Sequence, residues 1–404
     1  MRVAVLGAGL QGACVAFELA RAGVSVDLYD RHSQPVSGAS LRNEGKVHLG
    51  YVYAADRSRL TARLMVEGAL SFAPLLRRWL GPELDRLPAS EPFNYVVHRD
   101  SLVGVEEMEA HFARCQGFAI DELAGSEPDY FGQDPRRAPE RMSRVEAERC
   151  YDPRAMLAAY RTSEVAVDPS VLARLIRAGL AREPLIRLRL GTEVRAVSPD
   201  DDGAVVHAVR LAQESAERYD HVVNALWTGR LAVDSTAGVA PERPWLHRMR
   251  YNVRIPQPVT GVPATTIVVG PFGDAVSYGE GGVYLSWYPV GRRGVSAALS
   301  PPAWPSTLDD ADSARLRSAI GAGLGSAIRG VAELPPGLLA AGVVQGGVVF
   351  AHGEGDIDDP DSALHERHTI GATSFGRYHS VDTGKLTTAP LFAHRLGATI
   401  LATP

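Results

Sequence analysis

The chain reads as an α/β protein. A nucleotide-binding domain of parallel-sheet type is assembled from separated segments, and a β-rich α+β domain is inserted into it. Three observations lead there. A β-α-β pattern fills residues 2–30, with a glycine-rich turn between strand and helix. Strand patterns with Gly-rich turns crowd residues 245–299. Strand and helix signals of the first type return only near the C-terminus, so the first domain is completed late in the chain.

The first element is Val3-Ala4-Val5-Leu6, a short apolar run of buried-strand type. Gly7-Ala8-Gly9-Leu10-Gln11-Gly12 follows at once, then an apolar helix over 13–22 that Gly23 ends. Val24 to Asp30 is the second strand, and Asp30 closes it 23 residues after Gly7. A G-x-G-x-x-G between strand and helix, with an acid at the end of the next strand, is the context a dinucleotide site requires. Glycine permits the tight turn and close approach of backbone to a pyrophosphate, while the helix N-terminus supplies N–H groups and partial positive charge. Asp30 can accept from ribose hydroxyls and would repel a 2′-phosphate.

Residues 60–90 carry leucines and arginines at helical spacing. Residues 91–145 mix short strand-like and acidic segments. Val167-Asp168-Pro169 opens a helix to about Arg182, and strands follow over 186–197 and 204–211. Tyr219 to Trp227 is a buried strand ending in a turn. Residues 306–330 read as one helix or two, and Gly342 to His352 as a strand. Asp356 to Asp361 is a solvated acidic loop whose spacing fits no EF-hand. The predicted boundaries are 1–90, 150–235 and 340–404 for the nucleotide domain, and 91–149 and 236–339 for the substrate domain.

Composition excludes several classes. A net charge of −5 leaves no footprint for nucleic acid or anionic membrane. No uncharged apolar run reaches membrane-spanning length. Cys14, Cys115 and Cys150 are too few and too scattered for a disulfide framework or a zinc site, and suit a reducing compartment. No signal peptide precedes a strand that starts at Arg2, so a cytoplasmic protein is expected. The richness in Ala, Arg, Gly and Val suits a GC-rich bacterium. There is no G-x-S-x-G for serine hydrolysis and no compact metal-ligand cluster.

Of 42 basic residues only two are lysine, Lys46 and Lys385. Where arginine serves every ordinary purpose, a lysine marks a place that a guanidinium does not suit, because its ammonium is a compact point charge whose pKa responds to burial. Lys46 lies in Asn43-Glu44-Gly45-Lys46-Val47-His48, and Lys385 in Asp382-Thr383-Gly384-Lys385-Leu386-Thr387-Thr388.

Four segments in order resemble the superfamily of D-amino-acid oxidase, glycine oxidase and monomeric sarcosine oxidase. They are the β-α-β unit ending at Asp30; Ser37-Gly38-Ala39-Ser40-Leu41-Arg42-Asn43-Glu44-Gly45; the pair Gly191-Thr192-Glu193-Val194 and Asp220 to Ala225; and Thr383 to Pro390. The resemblance implies a Rossmann-type FAD-binding domain beside a β-rich substrate domain. FAD would meet Gly7, Gly9, Leu10, Gln11, Gly12, Asp30, Arg31, Ser40, Arg42, Asn43, Glu44, Gly45, Val194, Asn224, Ala225, Gly384, Lys385, Leu386 and Thr387. Many members carry a Gly-x-Arg-Pro stretch whose arginine clamps the substrate carboxylate. The corresponding Gly342 to Gly347 has no arginine, so a simple amino acid held that way is in doubt. Arg42 to Gly50 also resembles a stretch of 2-hydroxyglutarate and glycerol-phosphate oxidoreductases. No cysteine lies beyond Cys150, so non-covalent FAD is expected.

The chemistry implied is hydride transfer from a substrate carbon to the flavin. Lys385 or its N–H would stabilise negative charge at the pyrimidine edge of the ring. Lys46 and His48 alternate on an extended stretch and should point the same way. Lys46 could attract superoxide during reoxidation, and His48 could accept a substrate proton near its ordinary pKa. Arg250, Tyr278, Tyr284, Trp287, Arg377 and Tyr378 are the candidate substrate contacts, with Arg250 able to replace the missing clamp. The expected function is an FAD-dependent oxidase that takes hydride from a C–N bond of an amine or amino-acid-like small molecule, biosynthetic ones included, and passes electrons to oxygen or another acceptor. The alternative is a 2-hydroxy-acid oxidase or dehydrogenase. A non-redox role for FAD is disfavoured by lysines at both flavin edges.

Overall fold

The computed structural model describes residues 1–403. Strand Arg2–Leu6 is apolar after its first residue and takes a central place in a six-stranded sheet, as a strand buried on both faces must. The spatial order is 371–375, 378–382, 221–224, 2–6, 25–30, 186–190. Every neighbouring pair is parallel except the outer hairpin of Gly371–Phe375 with Tyr378–Asp382. The chain leaves strand 2–6 toward 25–30 on one side and returns at 221–224 on the other. The carboxyl end of 2–6 is therefore a topological switch point, where open α/β sheets hold ligands. Helix Leu10–Arg21 covers one face with helices Ala389–Ala402 and Leu60–Leu80 packed on it.

The second body is a nine-stranded mixed sheet built around strand Trp245–Ile255, which pairs antiparallel with Arg292–Ser296, Val283–Trp287 and Val343–His352. The sheet continues through 273–277, 265–268, 94–98, 156–161 and 140–141. Helix Asp310–Gly325 covers its outer face with Leu316, Ile320 and Leu324. A small antiparallel sheet of 193–200, 203–210 and 213–219 flanks the first body. The two bodies are stitched where Lys46–Val47 pairs with Val165–Ala166.

Two strands lie elsewhere than expected. Met156–Arg161 and Val343–His352, placed by sequence in the nucleotide segments, pair in the large sheet. Residues 91–145 also hold more helix than their acidic pattern suggested. Val105–Glu122 is a full helix that buries Met108, Phe112, Cys115 and Ala119 on one stripe. Arg144–Cys150 is a second helix, started by a capping box of Ser143 and Glu146. No helix among the described residues is long and apolar enough to cross a membrane.

Candidate active site

A cavity of about 1000 Å³ runs from the switch point to the large sheet. Its first part is built from the glycine-rich turn. Gly7 has φ +98°, and a Cβ there would lie 2.6 Å from the Ala225 carbonyl oxygen. A Cβ on Gly12 would lie 1.8 Å from the Gly7 oxygen, so both positions must be glycine for the turn to close. The Asp30 carboxylate accepts from Ala8 N–H at 2.9 Å and from His32 N–H at 2.8 Å. An ionised carboxylate retains further lone pairs for a ribose. Ser40 Oγ accepts from Leu10 N–H at 3.0 Å and ties the second loop to the helix N-terminus.

That second loop is held by its own side chains. Asn43 donates to the carbonyls of Ala39 and Ser40 and accepts from Gly45 N–H at 2.7 Å. Gly45, at φ +67°, lies so close to Val167 that a Cβ would be 1.9 Å from its oxygen. Tyr278 donates to the Glu44 carbonyl at 2.7 Å. Thr387 then joins the loop to the C-terminal motif: its hydroxyl accepts from His48 N–H at 2.9 Å and donates to the Lys46 carbonyl at 3.1 Å. One threonine thus sets Lys46, His48 and Lys385 beside one another, and all three line the cavity.

Their electrostatics differ. Lys46 is 3% exposed. Its ammonium donates to Thr266 Oγ1, lies 2.6 Å from Asp274 Oδ1, and sits 4.4 Å from the centre of the Phe93 ring. Burial opposes its charge, but Asp274, Glu164 and Glu44 outweigh burial and hold it above the usual lysine range. Among the described residues Lys385 has no carboxylate within 4.0 Å. Burial pushes it down to about 8; Glu44 opposes that, while Arg367, Arg250 and Lys46 reinforce it. His48 is held well below the usual histidine range by burial, with Lys385 and Lys46 adding to the effect. The expected pH dependence near an ordinary histidine pKa is therefore corrected: this imidazole is neutral across the working range.

Arg250, Tyr284 and Tyr288 line the large-sheet side of the cavity. Arg250 stands opposite Gly347 in the ladder, in the region where the resembling family carries its clamp. Four other expected contacts are corrected. Trp287 and Tyr278 lie outside the cavity wall; Trp287 packs on the helix at Gly323, and Tyr278 supports Glu44 beneath the Arg254 guanidinium. Tyr378 points into a buried network with Asp234 at 2.6 Å and Asn224 at 2.8 Å, and Arg377 lies 3.0 Å from His221. Tyr378 opens the sheet strand Tyr378–Asp382 and Arg377 immediately precedes it, so their side chains serve the sheet faces rather than the site. Asn224, Gly12, Gly45 and Thr387 shape the cavity from behind its wall. The remaining expected cofactor residues line it.

Sequence reasoning missed Glu164, Asp274, Arg248 and Arg367. Glu164 is fully buried, bonded to the Tyr95 hydroxyl and to Leu49 N–H at 2.6 Å. Burial pushes it up to about 7, against the pull of Lys46. Its Oε1 lies 3.8 Å from His48 Nδ1. A lone acid before the apolar run Val165-Ala166-Val167 was the available signal. Arg248, Arg250, Asn252 and Arg254 alternate with Met249, Tyr251 and Val253, which is a polar face of a half-buried strand. Asp274 and Arg367 carried no local signal.

The residues present fit FAD. A helix N-terminus and glycine turn suit a pyrophosphate, an acid at the end of the second strand suits a ribose, and a lysine with no carboxylate partner among the described residues lies farther along the same cavity. A sequence model described as FAD dependent oxidoreductase matches residues 2–322. The fold is shared with NikD, an unusual amino acid oxidase essential for nikkomycin biosynthesis, at TM-score 0.69 and 16% identity over 99% of this chain and 93% of that one. Iminodiacetate oxidase from Chelativorans sp. BNC1 gives TM-score 0.69 and 17% identity over 100% and 96% of the two chains. Glycine oxidase from Geobacillus kaustophilus gives 0.65 and 15% over 99% and 94%. A D-amino acid dehydrogenase of Rhizobium johnstonii is 36% identical over 85 residues, 21% of this chain and 20% of that protein. The match thus spans about a fifth of that relative's length.

Proposed function

Because the chain belongs to the FAD dependent oxidoreductase family, we propose that it oxidises a C–N bond of an amine or amino-acid-like small molecule. The observation that carries this reading is the surplus of positive charge around the end of the cavity where Lys385, Arg250 and Arg367 meet. FAD, when bound, supplies the acceptor for a hydride. An amine loses hydride once its nitrogen holds a free lone pair. Nearby cations lower the pKa of a substrate ammonium and favour that neutral form. A hydroxy acid would instead need a competent base for its hydroxyl proton. His48 is kept weakly basic by burial, and Glu164 is engaged by Tyr95 and Leu49. The site is therefore better suited to C–N than to C–O oxidation.

In this reading Arg250 receives the substrate carboxylate, while Gly347 opposite it admits the backbone of Ala39 and Arg42. Tyr284 and Tyr288 wall the pocket. Lys385 holds a positive charge toward the pyrimidine edge of the ring. Lys46 keeps the loop in place through Asp274, and its charge reaches an oxygen species only after compensation by that carboxylate. Loss of a hydride from the neutral amine leaves an iminium, which water converts to a carbonyl compound and ammonium or a smaller protonated amine. The test is product analysis with candidate amines and amino acids. Carbonyl product and released amine in equal amounts support the reading, and a carbonyl product from hydroxy acids alone removes it.

A further inference from the structure

Three cations in the cavity wall have no established task. Arg248 and Arg250 lie two residues apart on one face of strand 245–255, and Arg367 approaches from the loop after residue 362. Among the described residues none of the three has a carboxylate within 4.0 Å. Arg248 is 2% exposed; its Nη2 makes a long bond to the Gly355 carbonyl at 3.4 Å, and its Nε has no partner. Arg367 is braced by the carbonyls of Leu364 at 3.1 Å and Phe350 at 3.2 Å. The Arg250 guanidinium lies 4.9 Å from the centre of the Tyr288 ring. The acid facing Tyr288, Asp356, bonds the Tyr288 hydroxyl at 2.8 Å and pairs with Arg292.

Buried cations without counter-charges are costly. A fold that brings one buried and two half-buried cations to one cavity wall gains from it only if a ligand brings the anions. FAD does not account for them. Its phosphates belong at the glycine turn and the 37–42 loop, and Lys385 suffices for the ring. One substrate carboxylate accounts for Arg250. Resting on the C–N reading above, we propose that the substrate carries a second acidic group, a carboxylate, received by Arg367 and Arg248. A carboxylate is favoured over a phosphate because Arg367 already gives Nε and one Nη1 hydrogen to backbone carbonyls, leaving Nη2 as its one nitrogen with both hydrogens free.

The experiment titrates the FAD-loaded protein with non-reacting dicarboxylates (succinate, glutarate, adipate) and with the monocarboxylate of equal carbon number, reading perturbation of the flavin absorbance. One dicarboxylate should bind at least about 10-fold tighter than its monocarboxylate, the effect of one charged hydrogen-bonded contact. Arg367→Gln should erase that preference and leave monocarboxylate affinity within about 2-fold, since only the second group is lost. Equal affinity of both series for the wild type overturns the proposal and needs no variant to fold. So does a preference that survives both Arg367→Gln and Arg248→Gln. If no amine is oxidised, the C–N reading falls while this ligand comparison still decides the second site.

Discussion

The Lys46 ammonium lies 2.6 Å from the Asp274 carboxylate, across 228 residues of sequence and between two sheets. Thr266 and the Phe93 ring complete its surroundings. A compact ammonium suits this space, whereas a planar guanidinium would have to displace the ring or the threonine. The scarcity of lysine in the chain thus marked a steric and electrostatic requirement. The same carboxylate offsets much of the charge on which the expected oxygen chemistry would draw.

Removing one partner of such a pair leaves the other charge buried. Lys46→Met should destabilise the protein by about 3–5 kcal/mol, and Lys46→Met with Asp274→Asn should recover much of that loss. Denaturant unfolding of the single and double variants measures it. A single variant as stable as the wild type would show that the pair contributes nothing to the fold. Reoxidation of the reduced double variant by oxygen should remain close to wild type.

Lys385 is a cation below about 8 and neutral above it. Affinity of the holoprotein for an anionic ligand should therefore fall as pH rises through that value. Lys385→Arg should carry the affinity to higher pH, and Lys385→Met should remove the dependence. Lys385→Met should also lower the flavin reduction potential, by the equivalent of ~1–3 kcal/mol for one charge-assisted contact. An unchanged potential in a folded, FAD-loaded variant would place Lys385 away from the ring.

Glu164 gives a test through stability. Its folded pKa, about 7, lies above the ordinary carboxylate value of 4.5. Between those values the folded state binds more protons than the unfolded one, so stability falls as pH rises through the window. Glu164→Gln should flatten that slope and be relatively more stable than wild type at pH above the window. Melting temperature against pH for both proteins checks this. A slope unchanged in the variant would assign it to another group.

Arg250 is the residue assigned to the first carboxylate. Arg250→Leu should weaken binding of monocarboxylate ligands by about 10- to 100-fold, the range for a charged hydrogen bond, with FAD retained. Ligand titration followed by flavin absorbance reads it. Undiminished binding would remove the carboxylate from Arg250.

The nucleotide half was legible because its requirements are local. Gly7 and Gly12 sit where a Cβ would strike backbone, and Asp30 ends a strand that pairs with the first. The C-terminal motif was legible for a similar reason, since Thr387 and Lys385 occupy one turn. The substrate half was not. Asp274 meets Lys46, and Arg367 reaches the cavity, only through tertiary packing that no local period encodes. Tyr378 and Trp287 have the aromatic character of pocket residues, yet a buried hydrogen-bond network and a helix contact claim them. Strand 343–352 had a readable pattern, but its pairing with 245–255 in preference to the nucleotide sheet depends on the whole topology.

The most direct measurement is anaerobic stopped-flow reduction of the FAD-loaded protein by matched pairs, each an amino acid and the 2-hydroxy acid of the same skeleton, dicarboxylic pairs included. The account expects the amino compound of at least one pair to bleach the flavin rapidly while its hydroxy partner leaves it oxidised. Bleaching by hydroxy acids alone would contradict C–N oxidation.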